Sequence, residues 1–474
     1  MDPRMKHSLD KIFNPESIAV IGASNNPSTW GYRTLGSIVG GKYRKKIYPI
    51  HPKEKVIQGL TAYARISDVP DTVDLAIIVI KAELVTGVIR ECIEKGIKGG
   101  IVITAGFAEI SGEGAAHQKK LVKECDEAGF HFIGPNCLGV VSTDANLCTM
   151  FREGMDPPKG PISFISQSGT LGWDFYHASL KSGFGMNKLI SCGNQASISF
   201  VDLLEYLGQD PSTSVITGYM EDVRDGRRFL ETARAITPHK PIFLFKAGGD
   251  EASARAAKSH TAALAGNDEV FEAACHQAGV IRWHDVNEMF DMADAACYLP
   301  RPKGNRVAVV SDGGGFNVTT AQACSRMGLN LPEMSQKAQA EILQHMQPFS
   351  PEPLNPIDCI AAKNDMAYRK IIEIAAAQDY IDGLIVMPFM GSFDRSQTPQ
   401  RMIELIEFAE SIATIPERHH KPVVLIADHN ASGPVFEIFK RHHIPVLESP
   451  NDCARTMYGI MKYTEIAGMA CSNI

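Results

Sequence analysis

The sequence has no CxxC pair and no cysteine/histidine cluster, although it contains 11 cysteines. They are scattered singly, as at Cys92, Cys125, Cys192, Cys275 and Cys359. Neither a zinc site nor the disulfide framework of a secreted protein is indicated, and no metal site is expected in this chain. Long apolar runs are also missing: "DLAIIVI" (74–80) is among the longest, far short of a bilayer span. The opening "MDPRMKHSLDKIF" lacks the apolar stretch of a signal peptide, so a cytoplasmic location is expected. No charge of one sign dominates, since 47 Lys and Arg against 54 Asp and Glu leave a net charge of -7. That balance gives no reason to expect nucleic acid or a membrane surface as partner, and any anionic ligand must be held by local donors. Two phosphate-binding signatures, GxGxxG and GxxxxGK[ST], do not occur.

What is present is an ordinary globular composition, 44% apolar and 21% charged, in 474 residues. That is too long for one core and suggests about three domains at roughly 150 residues each. Short β-branched runs alternate with helical patterns. "SIAVIGAS" (17–24), "KIYPIHP" (46–52), "DLAIIVI" (74–80), "GGIVIT" (99–104) and "FHFIGPN" (130–136) read as buried strands of a first doubly wound unit. The pattern restarts at "PISFISQSG" (161–169) and runs through "KLISCGN", "VITGYME", "PIFLFKAG" and "GVIRW". After the linker-like "YLPRPKGN" (298–305), a third set begins with "RVAVVSDGGG" (306–315). The expected fold is therefore α/β with parallel sheets, the second and third units being two copies of a flavodoxin-like architecture. The boundaries are placed at 1–147, 148–300 and 301–474.

Ligands of doubly wound sheets sit beyond the carboxyl ends of strands, near helix N-termini. In "VIGASNNPSTWG" (20–31), Gly22, Ala23 and Ser24 would let a phosphate approach; an ordinary tight turn explains the stretch equally well. "YPIHPKEKVIQG" (48–59) offers Lys53 and Lys55 where an NAD site would carry an acid, which suggests a phosphorylated ribose or simply solvated lysines. "ISQSGTLG" (165–172) ends a strand with the hydroxyls of Ser166, Ser168 and Thr170 and could form a neutral anion nest. A nucleophilic serine there lacks the GxSxG context. "SCGNQAS" (191–197) and "GPNCLG" (134–139) are turns of the same character, and three converging turns would make an anion site with few charges. Glu221, in "YMEDVRDGRRF" (219–229), is either a capping or solvated carboxylate or the acceptor that fixes a catalytic imidazole's tautomer. His260 lies in "ARAAKSHTAALAG" (254–266), whose small side chains leave room for a tetrahedral group on the ring. A neutral imidazole is a capable phosphoryl acceptor, though a structural histidine is equally compatible with this stretch.

Together these stretches resemble the ADP-forming acyl-CoA synthetases, specifically their CoA-binding α subunit, a relative of the succinyl-CoA synthetase α chain. "IFNPESIAVIGAS", "YPIHPKEKVIQG", "AGFAEISGEG", "GPNCLG", "SQSGTLG", "YMEDVRDGRRF" and "KSHTAALAG" occur in the family's order along nearly the whole chain. The resemblance implies a Rossmann-like CoA-binding domain followed by two flavodoxin-like ligase domains. It also implies a relay in which acyl-CoA and phosphate give acyl phosphate and CoA, the phosphoryl group passing to His260 and then to ADP. Glu221 matches the residue that orients the phosphorylated histidine. Asn136, Ser166, Ser168, Gly169, Gly193 and Asn194 match the phosphate site, and Gly22, Ala23, Ser24, Lys53, Thr104 and Ala105 match CoA contacts. Lys81 stands where relatives commonly have proline, adding a CoA contact or favouring an acidic acyl group; Ala262 replaces a common glycine.

The missing GxxxxGK[ST] loop, and the lack of a further segment of roughly 200 residues for an ATP-grasp fold, imply a separate ATP-grasp β subunit. That partner would hold ATP or ADP with Mg²⁺ in an αβ or α2β2 assembly, the other substrates being a small carboxylate or its acyl-CoA. The alternatives are a non-catalytic sensor of CoA or acyl-CoA and an NAD(P)-dependent oxidoreductase; the second is disfavoured by the absent GxGxxG and by Lys53.

Overall fold

Uninterrupted apolar runs form strands that are buried on both faces, because helices cover both sides of a parallel sheet. The structure, a computed structural model, describes residues 1–150, 154, 156–249, 267–283, 285–360, 362–387, 398–427 and 433–471. His260 and the rest of 250–266 lie outside the described residues.

The first sheet takes β1 (Ser17–Ile21) and β2 (Lys46–Ile50) and, after the small hairpin of β3 (Val56–Ile57) and β4 (Leu60–Thr61), β5 (Leu75–Ile78), β6 (Gly99–Val102) and β7 (His131–Ile133). Its parallel order is β2-β1-β5-β6-β7. Helix α1 (Pro3–Phe13) crosses it so closely that a Cβ on Gly99 would stand 2.9 Å from Ile12 Cγ1, while one on Gly100 would stand 2.7 Å from Cζ of Phe130, just before β7. The consecutive glycines of "GGIVIT" are thus packing residues. Helices α2 (Trp30–Gly40), α3 (Ala82–Glu94) and α4 (Gly112–Ala128) complete this layer.

The chain then leaves β7, turns through 134–138 and enters the second sheet as β8 (Gly139–Ser142), followed by β9 (Leu147–Cys148). Both are antiparallel additions beside five parallel strands: β10 (Lys159–Ser166), β11 (Met186–Ser191), β12 (Val215–Met220), β13 (Ile242–Lys246) and β14 (Ile281–Trp283). The order is β14-β13-β12-β10-β11-β8-β9. Helices α5 (Gly169–Ser182), α6 (Phe200–Gln209) and α7 (Gly226–Ile236) belong to this layer. One continuous apolar cluster joins Leu9 and Phe13 of α1 to Ile165, Ile190 and Leu204 of the second layer. Polar anchors reinforce it: the Tyr206 ring stacks on Phe13 at 5.3 Å and its hydroxyl donates to Asp10 Oδ1 at 3.0 Å. Met1–Met289 accordingly form one compact unit, and Phe290–Ile474 form the other.

The second unit has its own core, including Val307, Val309, Ile385, Val424 and Met457. Its sheet comprises β15 (Val307–Ser311), β16 (Ile357–Asp358), β17 (Gly383–Val386), β18 (Val423–Ile426) and β19 (Val446–Leu447), in the order β16-β15-β17-β18-β19. Counting only parallel strands, all three sheets share the order 2-1-3-4-5. In that order the connections run to opposite sides of the first strand, so a crevice opens between strands 1 and 3 at their carboxyl ends. Among the described residues no helix is long and apolar enough to cross a membrane.

Candidate active site

At the crevice of the first sheet, β1 is followed by Gly22, whose φ of +92° suits glycine. A Cβ there would overlap the Val79 carbonyl oxygen, and one on Gly31 would overlap that of Gly22. The N-terminus of α2, capped by Thr29 Oγ1 accepting from Tyr32 N–H at 3.3 Å, is therefore held against the strand end. Ala23 is buried, and Ser24 Oγ accepts from Asn26 N–H at 3.0 Å. Gln58 ties this loop to the next, its Nε2 donating to Ser24 O at 3.3 Å and to Tyr32 O at 2.9 Å. Lys53 is exposed on that next loop, its N–H donating to His51 Nδ1 at 3.3 Å. Lys81 is the exposed N-cap residue of α3 and makes no side-chain cap bond. Thr104 Oγ1 donates to Ile80 O at 2.8 Å, so this hydroxyl ties β5 to β6. Ala105, beside it, is exposed.

Four turns meet at the crevice of the second sheet. Ser166, at the end of β10, is buried and donates to Ser168 O at 2.6 Å. Ser168 then caps α5, its Oγ accepting from Leu171 N–H at 3.4 Å. The first turn of α5 leaves backbone N–H groups without intrahelical acceptors, a natural seat for an anion. Gly169 has no room for a side chain, since its Cβ would stand 2.8 Å from Leu138 Cγ of the 134–139 turn. Gly193 has φ +52°, and a Cβ on it would overlap the carbonyl oxygens of Pro135 and Asn136. Asn194 N–H donates to Pro135 O at 2.9 Å, and Asn136 Nδ2 donates to Asn194 Oδ1 at 3.3 Å. Asn136, Ser166, Ser168, Gly169, Gly193 and Asn194 are thus brought together.

Glu221 is on the fourth turn, directly after β12, and is 4% exposed. Its N–H donates to Gln167 Oε1 at 2.5 Å, and its Oε1 accepts from the Tyr219 hydroxyl at 3.3 Å. Burial, followed by the Glu221 charge, raises the Tyr219 phenol above its ordinary range, so it remains a donor. Glu221 Oε2 is buried and has no hydrogen-bond partner among the described residues. A buried carboxylate oxygen without a donor costs free energy, which marks this position as one where a donor belongs.

Several residues here escape sequence reasoning. Gln167 lies between the two serines and also donates to Asp222 Oδ1 at 2.7 Å, as does Gln195 Nε2 at 2.9 Å. Arg224 donates to the carbonyl oxygens of Gln195 and Asn194 at 2.8 and 2.6 Å, so its charge braces the 192–196 turn. Glu109 reaches back to Gly106 N–H at 2.5 Å and across to Asn194 Nδ2 at 2.6 Å. The signal for Glu109 was its position three residues after a glycine turn, the reach of a capping carboxylate. Among the described residues no group of three or more His, Cys, Asp or Glu is placed to hold a metal ion.

Comparison with known proteins agrees with this arrangement. Residues 16–143 match the family described as CoA binding domain, and residues 159–296 match the succinyl-CoA ligase like flavodoxin domain. The chain is 38% identical to the α subunit of ADP-forming acetate–CoA ligase II of Pyrococcus furiosus, over 97% of this chain and 99% of the relative. It is 34% identical to ADP-forming acetate–CoA ligase I of Archaeoglobus fulgidus over 85% of this chain, which spans 57% of that relative. The structure of the dinucleotide forming acetyl-coenzyme A synthetase 1 of Ca. Korarchaeum cryptofilum, in complex with phosphate and ADP, superimposes with a TM-score of 0.86 at 30% identity, covering 99% of both chains. With a relative of this identity matched nearly end to end, and with both crevices built as described, the chain belongs to the ADP-forming acyl-CoA synthetase family, in its CoA-binding α-subunit branch.

Proposed function

We infer that this chain is the α subunit of an ADP-forming acyl-CoA synthetase, an acid–thiol ligase interconverting carboxylate, CoA and ATP with acyl-CoA, ADP and phosphate. The observation that carries the reading is the unpartnered Oε2 of Glu221 beside a cradle of glycine and hydroxyl turns. An imidazole donating one N–H to that oxygen is fixed in the tautomer that leaves its other nitrogen free to attack phosphorus. His260 is assigned that role.

Phosphate rests on the first turn of α5, with Asn136, Ser166, Ser168, Gly169, Gly193 and Asn194 around it. One of its oxygens attacks the thioester carbonyl, the C–S bond breaks, and CoA leaves as the thiol. His260 next displaces the carboxylate from phosphorus, and an oxygen of ADP takes the phosphoryl group from the ring. Thioester, acyl phosphate and phosphohistidine are all high-energy species, so the protein mainly orients groups and excludes water. A cradle of neutral donors suits a phosphoryl group that must be held and then released. CoA lies along the first sheet's carboxyl edge, its pyrophosphate on Gly22, Ala23 and Ser24 at α2. Lys53 and Lys81 supply positive charge, and the Thr104–Ala105 turn lies toward the cradle. In this reading 1–147 bind CoA, 148–300 carry the histidine and 301–474 form the second ligase domain.

The nucleotide and Mg²⁺ belong to a separate ATP-grasp β subunit, in an αβ or α2β2 assembly in the cytoplasm. A relative named as an α subunit, 99% of which this chain matches, supports a partner subunit. The test is to incubate the full chain with several acyl-CoAs and radiolabelled phosphate. The wild type should acquire acid-labile label on His260, and His260→Ala should lose it completely while binding CoA as before. A wild type that stays unlabelled with every acyl group would reject the relay in favour of a CoA sensor.

A further inference from the structure

The first sheet's edge and the phosphate cradle are joined by one polar bridge that the relay does not explain. Glu109 Oε1 accepts from Gly106 N–H at 2.5 Å and Phe107 N–H at 3.2 Å, while its Oε2 accepts from Asn194 Nδ2 at 2.6 Å. Asn194 is held from four sides. Its Nδ2 also donates to Gln118 Oε1 at 3.1 Å, its Oδ1 accepts from Asn136, its N–H meets Pro135 O and its carbonyl accepts from Arg224. A second link runs beside it, Asn136 N–H donating to Thr104 O at 2.9 Å. Burial raises the Glu109 carboxyl, but hydrogen bonds from Gly106 N–H and Asn194 outweigh it and hold the group below the usual carboxylate range. The bridge therefore carries a negative charge at neutral pH and spends it on neutral N–H donors.

The cradle touches the first sheet through the 104–109 turn, so a thioester carried on that sheet's edge must arrive there. We propose that Glu109 is a positioning residue which, through Asn194, keeps the 104–109 turn in register with the phosphate cradle and so sets the approach of phosphate to the thioester. This rests on the relay reading above. Glu109 touches neither substrate; its effect reaches the reaction through Asn194 and the turn it caps. A shift of about 1 Å between reacting groups costs about 100-fold in rate, and the bridge is the contact placed to prevent it.

The test exploits the direction of the hydrogen bond. In Glu109→Gln the new amide oxygen can still serve Gly106 and Phe107, but its NH₂ faces the Asn194 NH₂, donor against donor. Asn194→Asp alone sets two carboxylates against each other. The double substitution restores donor to acceptor with the partners exchanged. Full-length proteins are labelled with radiolabelled phosphate and the acyl-CoA that labels the wild type fastest, and CoA binding is measured separately by calorimetry. Glu109→Gln should slow maximal labelling by about 10- to 100-fold with CoA affinity changed less than about threefold. The double variant should label at least about tenfold faster than Asn194→Asp. If the two losses simply multiply, or Glu109→Gln labels at the wild-type rate, the positioning role is overturned. Should Glu109→Gln fail to fold, the Asn194→Asp and double variants still decide the point. A wild type that stays unlabelled with every acyl-CoA would overturn the relay and the positioning role together, whereas a labelled wild type with multiplying losses overturns the positioning role alone.

Discussion

Two turns built on the same frame have different surroundings. Ser166–Gly169 and Ser311–Gly314 each follow the first strand of a 2-1-3-4-5 sheet and open a helix. In each, the serine hydroxyl donates to the carbonyl two residues on, at 2.6 Å to Ser168 O and 3.2 Å to Gly313 O. There the likeness ends. Helix α5 is capped by Ser168, whereas the helix Gly314–Arg326 starts at Gly313 with no side-chain cap. The α5 turn is walled in by the 134–139 and 192–196 turns; the other leaves Phe316 and Val318 43% and 71% exposed. The frame supplies a helix N-terminus in both places; among the described residues the α5 turn packs against two further turns, whereas the other meets Asp358 of β16, whose Oδ2 would stand 3.3 Å from a Cβ on Gly314.

Substitutions can break or sharpen this contrast. The largest effect is expected at Gly193, where alanine must adopt φ +52° and push on the carbonyls of Pro135 and Asn136. Gly193→Ala should destabilise the first unit by about 1–3 kcal/mol and abolish labelling by acyl-CoA and phosphate, read by denaturant titration and the labelling assay. Next comes Ser168→Ala, which removes the α5 cap and should cost about 1 kcal/mol, again by denaturant titration. The smallest effect has the opposite sign. A Cβ on Gly315 meets nothing within 4 Å, so Gly315→Ala should stabilise the second unit by about 0.5–1 kcal/mol in thermal denaturation and leave CoA binding unchanged. A large loss there would mean that this turn is as crowded as its counterpart.

Much of the fold could be read from the chain because buried parallel strands are continuous apolar runs. The runs "SIAVIGAS", "DLAIIVI" and "VITGYME" contain β1, β5 and β12. The runs overshoot where apolar or hydroxyl residues continue into a buried turn, as at Ile103 and Thr104 beyond β6. β8 and β9 are not legible. They are four and two residues long, and the pairing of β8 with β11 and of β9 with β8 comes from tertiary placement and leaves no period in the sequence. The turn glycines of the two crevices stand out by composition, since Gly22 and Gly193 fit where no Cβ can. The braces do not: Gln167, Gln195, Asp222 and Arg224 look like solvated polar residues until three separate strand ends are brought side by side. The hydroxyl of Thr104 has a role that the sequence does not reveal, tying β5 to β6 through Ile80 O.

The crossover from β7 to β8 makes the 134–138 turn both the covalent seam between two sheets and the source of Asn136. A backbone nick at that seam would divide the proposed cradle between two fragments, and a circular permutation opened there would place its parts at opposite ends of one chain. The pair of sheets on either side of this turn should therefore be inherited as one piece.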